Sequence, residues 1–131
     1  MMKTLNLVKA MGVAIVATVL ISACKSNVYP TIQLHAPEAG TEFLVGYDVH
    51  FVAMLSDSLG LKSYSIKITG DKGELYGNTW DLPEVKEMML HHHEIFISGD
   101  TTPGFYTFTL SCTNTSKNES VVERGVSIVK F

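Results

Sequence analysis

The chain has 131 residues, a formal net charge of −3, and 46% hydrophobic against 18% charged side chains. Its basic residues are scattered singly rather than gathered in a stripe that neutralises phosphates, so nucleic acid is excluded as an expected partner. A chain of this length buries one core but not two, and we therefore expect one folded domain.

The first element is an N-terminal targeting segment over residues 1–23. Residues 1–9 carry Lys3 and Lys9 and no acidic residue, and a predominantly apolar stretch of 12 residues extends from Ala10 to Ile21. This is the layout of a secretory signal, and the run is shorter than the roughly 20 apolar residues that span a membrane. Its end, Leu20–Cys24, resembles the bacterial lipoprotein signal, in which the chain is cut before a cysteine that has received a diacylglyceryl group.

The resemblance implies a lipid anchor at Cys24, of the palmitate type, and a place in the bacterial cell envelope. Position 25 is Lys, as in outer-membrane lipoproteins, whereas Asp at this position signals retention in the inner membrane. Both the periplasmic and the exterior face of the outer membrane are possible locations of the domain. Two or three acyl chains hold a protein firmly to a membrane, whereas one chain gives only reversible attachment. A cleaved secretory signal that leaves Cys24 as a free thiol is the alternative.

Residues 24–30 are predicted to be a short tether between the lipid and the folded domain. Removal of residues 1–23 takes away two lysines and no acidic residue, so the mature chain is more acidic than the whole. Cys112 is then the only cysteine besides Cys24, and an exported chain has no pair for a disulfide. Alternation with Phe108 and Leu110 predicts that Cys112 is a core side chain.

The remaining residues, 31–131, alternate apolar and polar side chains between turn signals, which predicts an all-β domain. The long segment 70–83 is predicted to be a loop with room for a short edge strand. About seven strands in this length are typical of an immunoglobulin-like antiparallel β-sandwich, and Tyr106 at the start of the penultimate strand matches its tyrosine corner. The other predicted strands cover residues 31–35, 48–56, 61–69, 87–98, 105–114 and 120–131.

Several short stretches together resemble a lipoprotein family of unknown function from Bacteroidetes. The stretches are Pro30-Thr31-Ile32, Ala36-Pro37, Gly46, Ser56-Asp57, Gly60-Leu61, the histidines before Ile95, and Pro103-Gly104-Phe105-Tyr106. The resemblance covers residues 30–131 and implies an immunoglobulin-like fold and an envelope location. It implies no established activity.

A histidine cluster, residues 91–93, is the local concentration of coordinating side chains. Alternate strand residues share a face about 6.6 Å apart, so His91 and His93 are candidate ligands of zinc, copper or nickel. Because alternate strand residues share a face, His91 and His93 are predicted to lie on the same inward face as Ile95. A metal site needs at least a third ligand, for which His35, His50, Asp81 and Glu87 are candidates.

Register argues against His50 as that third ligand. If the second and fifth predicted strands pair antiparallel, His50 lies opposite residues 95–97 and on the order of 13 Å from His92. Surface histidines without a ligand, a half-buried histidine pair and a pH-sensing role are therefore the alternatives to a metal site.

Two further features are candidates for recognition or modification. Tyr76 and Trp80 fall in the predicted long loop, where aromatic rings stack on sugars or on protein partners; the alternative is that Trp80 covers the edge of the sandwich. Asp57-Ser58-Leu59 resembles the short sequence at which Bacteroides-type bacteria attach O-glycans, which makes Ser58 a candidate O-glycosylation site.

The motifs predict a binding protein rather than an enzyme. The sequence has no phosphate-cradling glycine loop and no nucleophile elbow, and it yields no candidate catalytic residue. We therefore expect a lipid-anchored binding or accessory module of the envelope, with an outer-membrane protein complex or a glycan as partner. The alternatives are a metal-binding or metal-delivery lipoprotein that uses His91 and His93, and a structural partner protein of an outer-membrane complex.

Overall fold

A computed structural model describes residues 27–130, and within 92–94 it describes the backbone alone. This part of the chain forms strands and turns, without a helix among residues 27–130. The eight strands are β1 (Thr31–Ala36), β2 (Glu42–Leu44), β3 (Asp48–Ser56), β4 (Leu61–Gly70), β5 (Gly73–Asp81), β6 (Glu87–Phe96), β7 (Gly104–Asn114) and β8 (Glu119–Val129).

The strands form two sheets that pack face to face. The smaller sheet has the order β1-β3-β6, and the larger has the order β2-β8-β7-β4-β5. All pairs among the described strands are antiparallel except β2 with β8, which is parallel. The predicted immunoglobulin-like β-sandwich is confirmed, because the chain crosses repeatedly between two sheets that enclose one core.

The core lies between the sheets and follows the alternation of the strands. Strand β3 buries every second residue, and Phe51 meets Phe108 of the opposite sheet with ring centroids 5.5 Å apart. A fully buried phenyl ring contributes about 1.5–3 kcal/mol by leaving water. The largest fully buried side chains are Phe51, Phe108, Leu55, Leu61, Ile66, Ile68, Ile95, Ile97, Leu110, Ile128, Val49 and Val126.

The described residues form eight strands, two more than the six strands predicted with definite bounds, and the two additional strands are β5 and β2. The predicted loop 70–83 is mostly β5, an edge strand of nine residues that pairs with β4. Its alternation is weak in sequence because Gly77 and Asn78 interrupt the aromatic residues. Strand β2 has only three residues. It pairs with β8, the last strand in chain order, so local sequence does not predict it.

The tyrosine corner predicted at Tyr106 is present. Its hydroxyl donates a hydrogen bond to the carbonyl oxygen of Thr102 at 2.6 Å. The ring lies over Gly70, where an added Cβ would stand 2.6 Å from the Tyr106 ring. The absence of a side chain at Gly70 is therefore what admits the tyrosine ring at this end of the sandwich.

The two ends of the sandwich differ in what they carry. At one end, which we call the anchor end, hydrogen bonds join Val28 and the turns at residues 57–60 and 115–118. At the other, the far end, lie residues 37–47, the turn between β4 and β5, and residues 97–103. The described chain therefore enters the sandwich at the end opposite to these loops.

Candidate functional site

A pair of histidines on the outer face of the smaller sheet is the principal candidate site. His50 of β3 and His91 of β6 are both exposed, and their Nε2 atoms are 3.0 Å apart. The ring centroids are 5.1 Å apart, with the planes tilted by 39°. One Nε2 donates a hydrogen bond to the other, since a neutral imidazole has one donor and one acceptor nitrogen.

The predicted separation between His50 and the histidine cluster is wrong, and a β-bulge explains why. Phe51 pairs with His92 and Val49 pairs with Ile95, so two residues of β6, 93 and 94, face the single residue His50. The extra residue changes the register. His91, directly opposite Val52, thereby becomes the diagonal neighbour of His50 on the same face.

The predicted inward orientation of His91 is also wrong. Leu90 and Ile95 are both buried, although an odd separation places residues of a regular strand on opposite faces. The bulge between them reverses the alternation, and His91 consequently lies on the exposed face. The side chains of His92, His93 and Glu94 lie outside the part of the structure that is described.

The other predicted ligands are dispersed. Asp81 belongs to the larger sheet, and Glu87 pairs with Ser56 at the anchor end. His35, by contrast, lines the same far-end cavity as His50, a cavity of about 450 Å³. Among the side chains described, no three histidine, cysteine or acidic residues already stand together as a metal-holding group.

The spacing of the histidine pair matches the spacing of two metal ligands. Imidazole nitrogens bind zinc at about 2.0–2.1 Å, so two nitrogens 3.0 Å apart would subtend an angle of about 95° at a shared ion. This lies between the right angle of square-planar geometry and the wider angle of a tetrahedron. A divalent cation that replaced the shared proton would lie to one side of the line between the two nitrogens, so both rings would turn to direct their Nε2 lone pairs at it.

The lipidation site, Cys24, lies outside the described residues, but the chain just after it is firmly attached to the domain. The carbonyl oxygen of Val28 accepts hydrogen bonds from Asn114 Nδ2 at 2.9 Å and from Asn118 Nδ2 at 2.7 Å. The carbonyl of Pro30 accepts another from Ser120 Oγ at 2.6 Å. The predicted tether is therefore part of the fold from Val28 onward.

Asn114 is buried and uses its whole hydrogen-bonding capacity. Its Nδ2 donates to Val28 and to Asp57 Oδ1, and its Oδ1 accepts from the backbone N–H groups of Ser116 and Asn118. Two donors and two acceptor positions are all that an Asn side chain has. The residue thus fixes the entering chain and two turns in one arrangement.

The predicted glycosylation residue, Ser58, is exposed in the turn between β3 and β4. The preceding residue, Asp57, is 6% exposed and accepts hydrogen bonds from the N–H groups of Leu59 and Gly60 at 2.8 and 3.1 Å. The turn therefore presents Ser58 to solvent while the carboxylate beside it points into the anchor end.

The predicted ligand-contacting aromatics, Tyr76 and Trp80, belong to β5 rather than to a loop. Both are half-buried and pack against the core. Trp80 stacks on Tyr64 with ring centroids 4.9 Å apart and an interplanar angle of 17°. They close the edge of the sandwich and leave only part of each ring accessible.

Among the described residues, three exposed aromatic side chains lie at the far end, and a fourth, Tyr29, lies at the anchor end. Phe105 is 86% exposed, Tyr47 63% and Phe96 59%. In a single sequence these residues are indistinguishable from strand-forming aromatics, since exposure depends on which face each strand turns to the core. These rings are accessible to a partner molecule.

Cys112 is fully buried, as predicted. Burial, with a smaller contribution from the negative charge of Asp57, raises the pKa of its thiol to about 12. The thiol is thus protonated across the physiological range and is a poor nucleophile.

The structure is an immunoglobulin-like β-sandwich. The chain that enters it is hydrogen-bonded to the domain at the anchor end, and one sheet carries a pair of histidines on its surface. The chain belongs to the family described as Domain of unknown function (DUF4625), which matches residues 22–129. No curated protein matches the chain. Within residues 27–130, no helix is long and apolar enough to cross a membrane.

Solved structures share this fold at low sequence identity. The fibronectin(III)-like modules of Clostridium thermocellum CbhA are 14% identical with a TM-score of 0.53, over 81% of this chain and 50% of that one. The chain therefore spans half the length of that structure, and the likeness shows the fold alone.

Two further likenesses have lower TM-scores. CopC from Methylosinus trichosporium OB3b is 11% identical, with coverages of 79% and 95% and a TM-score of 0.45. The CARDB domain of PF1109 from Pyrococcus furiosus, in complex with di-metal ions, is 13% identical, with coverages of 80% and 90% and a TM-score of 0.45. Likenesses at this level say nothing about metal binding by this chain.

Proposed function

We propose that this chain is a lipid-anchored binding or accessory module of the bacterial cell envelope, attached to the outer membrane through Cys24. The anchor itself is proposed from the signal-like sequence that ends at Cys24, and the observation that places the domain next to it is the double hydrogen bond from Asn114 and Asn118 to the carbonyl of Val28. Few residues separate Val28 from Cys24, and the extended chain between them reaches at most about 14 Å. The anchor end is thereby held close to the membrane surface.

This attachment restricts the orientations that the domain can take at the membrane. A flexible linker would let the sandwich present any face to its surroundings, whereas a chain fastened at Val28 turns the far end away from the lipid. The exposed aromatics Tyr47, Phe96 and Phe105 then face outward, where a neighbouring protein of a membrane complex or a glycan is within reach. Aromatic rings serve both kinds of contact.

Detergent partitioning tests the anchor. We expect the wild-type chain and Cys112→Ala, the matched cysteine control, to enter the detergent phase of a Triton X-114 extract with the mass of two or three acyl chains. Cys24→Ser should stay in the aqueous phase. A wild-type chain that carries no lipid and remains aqueous would overturn the proposal.

A second candidate function, metal binding or delivery, is favoured by the 3.0 Å spacing of His50 and His91. Zinc, copper and nickel are the ions that imidazole suits best. We expect calorimetric titration of the untagged chain with each ion to show stoichiometric binding that is lost in His50→Ala/His91→Ala. Met89→Ala is the control, since Met89 is an exposed residue of the same strand as His91. Equal binding by the double variant would refute this role for the pair.

Modification of Ser58 is a separate proposal that rests on its exposure in a hydrogen-bonded turn. If the native host attaches a glycan there, the intact mass should exceed that of the lipidated polypeptide, and Ser58→Ala should lose the increment. Ser56→Ala is the control at a nearby serine. An increment that persists in Ser58→Ala would place the glycan elsewhere.

A further inference from the structure

The outer face of the smaller sheet brings a third histidine toward the histidine pair. His35 lies in β1, at the bulge between the pairs Leu34–Ala53 and Ala36–Val52. Val52 is also the residue directly opposite His91. On the β1 side Val52 pairs with Ala36, and His35 is the extra residue of the bulge beside it, while His91 faces Val52 from the other side. Neighbouring strands lie about 4.8 Å apart.

His50 completes a triangle with these two residues. It is two positions from Val52 on the central strand, so it is the diagonal neighbour of His91 and lies near the end of β1. His35 and His50 line one cavity of about 450 Å³. An imidazole nitrogen stands about 3.6 Å from its Cβ, and with a metal–nitrogen bond of about 2 Å each ring has a reach of more than about 5 Å.

The charge of the cavity favours a cation. Glu38, Glu42 and Asp48 contribute carboxylates to its lining, and all of its lining residues lie in the described part of the chain without a lysine or arginine among them. Clefts lined by one sign of charge raise the local concentration of counter-ions. His35 and His50 both line this cavity, whereas His91, which contacts His50, is not among its lining residues.

We infer that a divalent ion of the zinc, copper and nickel class bound by His50 and His91 takes its third protein ligand from His35. The inference rests on the metal-binding role proposed for the pair and extends it to a three-histidine centre that assembles when the ion binds. Three protein ligands would leave a coordination position for a further ligand, as in catalytic metal sites.

The assembly is driven by the ion rather than preformed. The described side chains contain no ready group of three coordinating residues, so the inference requires the exposed His35 side chain to rotate toward the pair. Such a rotation costs little because His35 is a surface residue. The inference therefore predicts that the His35 side chain changes its rotamer when the ion binds.

Two claims are tested by titrating the whole mature chain, without a histidine tag, with ZnCl₂ and CuSO₄. The first is that His50 and His91 bind the ion, and the second is that His35 is the third ligand. We expect His35→Ala to weaken binding at least about 10-fold, His50→Ala and His91→Ala to weaken it further, and Met89→Ala to leave it unchanged. Electron paramagnetic resonance of the Cu²⁺ form should count three imidazole nitrogens in the wild type and two in His35→Ala.

The outcomes distinguish the inference from the role on which it rests. If His50→Ala and His91→Ala abolish binding while His35→Ala changes neither affinity nor nitrogen count, the pair binds metal and the three-histidine centre is wrong. If His93→Ala rather than His35→Ala removes one nitrogen, the third ligand comes from the cluster itself and the inference fails. If the wild type binds neither ion, both claims fail. Thermal melts of each variant exclude unfolding as the cause.

Discussion

The side chain of Asn114 donates a hydrogen bond to the carbonyl oxygen of Val28 at 2.9 Å across 86 positions of sequence. The same amide group reaches the carboxylate of Asp57, and all of these groups are at least partly shielded from water at the anchor end. Unpaired polar groups in such a place cost about 1–3 kcal/mol each. The arrangement therefore joins the attachment of the chain to the stability of the domain.

Replacement of Asn114 by Ala should lower the free energy of unfolding by on the order of 3 kcal/mol, because it leaves several buried partners without a hydrogen bond. Urea denaturation measures the change. Asn78→Ala is the matched control, since Asn78 is exposed and its side chain accepts a hydrogen bond from the backbone N–H of Thr79. This substitution should lower the free energy of unfolding by less than about 0.5 kcal/mol. Equal losses in the two variants would contradict the role assigned to Asn114.

The contact between Gly70 and Tyr106 makes a second prediction. Gly70→Ala should destabilise the domain by about 1–3 kcal/mol, because the added methyl group would overlap the Tyr106 ring. Gly125→Ala, in strand β8 with open space around an added Cβ, should be close to neutral. Thermal unfolding of the two variants gives the comparison, and a Gly70→Ala variant as stable as Gly125→Ala would show that the ring is not held against Gly70.

Loss of the Tyr106 hydroxyl should have a smaller effect than the Gly70 change. Tyr106→Phe removes the hydrogen bond to Thr102 and keeps the ring, so we expect a loss of about 1 kcal/mol. Tyr47→Phe is a control at an exposed tyrosine. Chemical denaturation of both variants measures the difference, and no difference between them would mean that the tyrosine corner adds nothing to stability.

The raised pKa of Cys112 predicts a decline of stability in alkali. An unfolded thiol loses its proton near pH 9, whereas the buried thiol, with its raised pKa, keeps it until about pH 12. Between these values the unfolded state binds fewer protons, so the free energy of unfolding falls as pH rises, by up to about 1.4 kcal/mol per pH unit. Below pH 9 this contribution is constant.

Cys112→Ala removes that alkaline slope, and the difference between the wild-type and variant pH profiles isolates it from other titrating groups. In a Cys24→Ser background, where Cys112 is the remaining thiol, a thiol reagent at mildly alkaline pH should react only after denaturant is added. Rapid reaction of the native protein would contradict the burial of this side chain.

Much of the fold was predictable because alternation is a local property of each strand. The inward residues of β3 and β7, the turn at residues 57–60 and the tyrosine corner all follow from residue types close in sequence. Strands β2 and β5 were not predictable in the same way. Their sequences become strands because a neighbouring strand offers hydrogen bonds.

The candidate site was only partly predictable for a related reason. The histidine pattern indicated His91 as a coordinating residue, with His35 and His50 as candidate further ligands, but the bulge at residues 93 and 94 has no signature in a single sequence. Without that extra residue, alternation assigns His91 to the wrong face and leaves His50 too far from it. The one extra residue in β6 therefore decides both the face on which His91 lies and its distance from His50.

Residue order was enough to establish an all-β sandwich with Cys112 in its core, since short alternating segments between turns can bury their apolar faces only against another sheet. The lipoprotein-type signal stays a prediction from the same source. Tertiary structure alone decided which residues meet, namely His50 with His91, Asn114 with Val28, and Tyr106 with Gly70. Burial patterns depend on near neighbours in the chain, whereas register, bulges and cross-strand contacts depend on the pairing of segments that are distant in sequence.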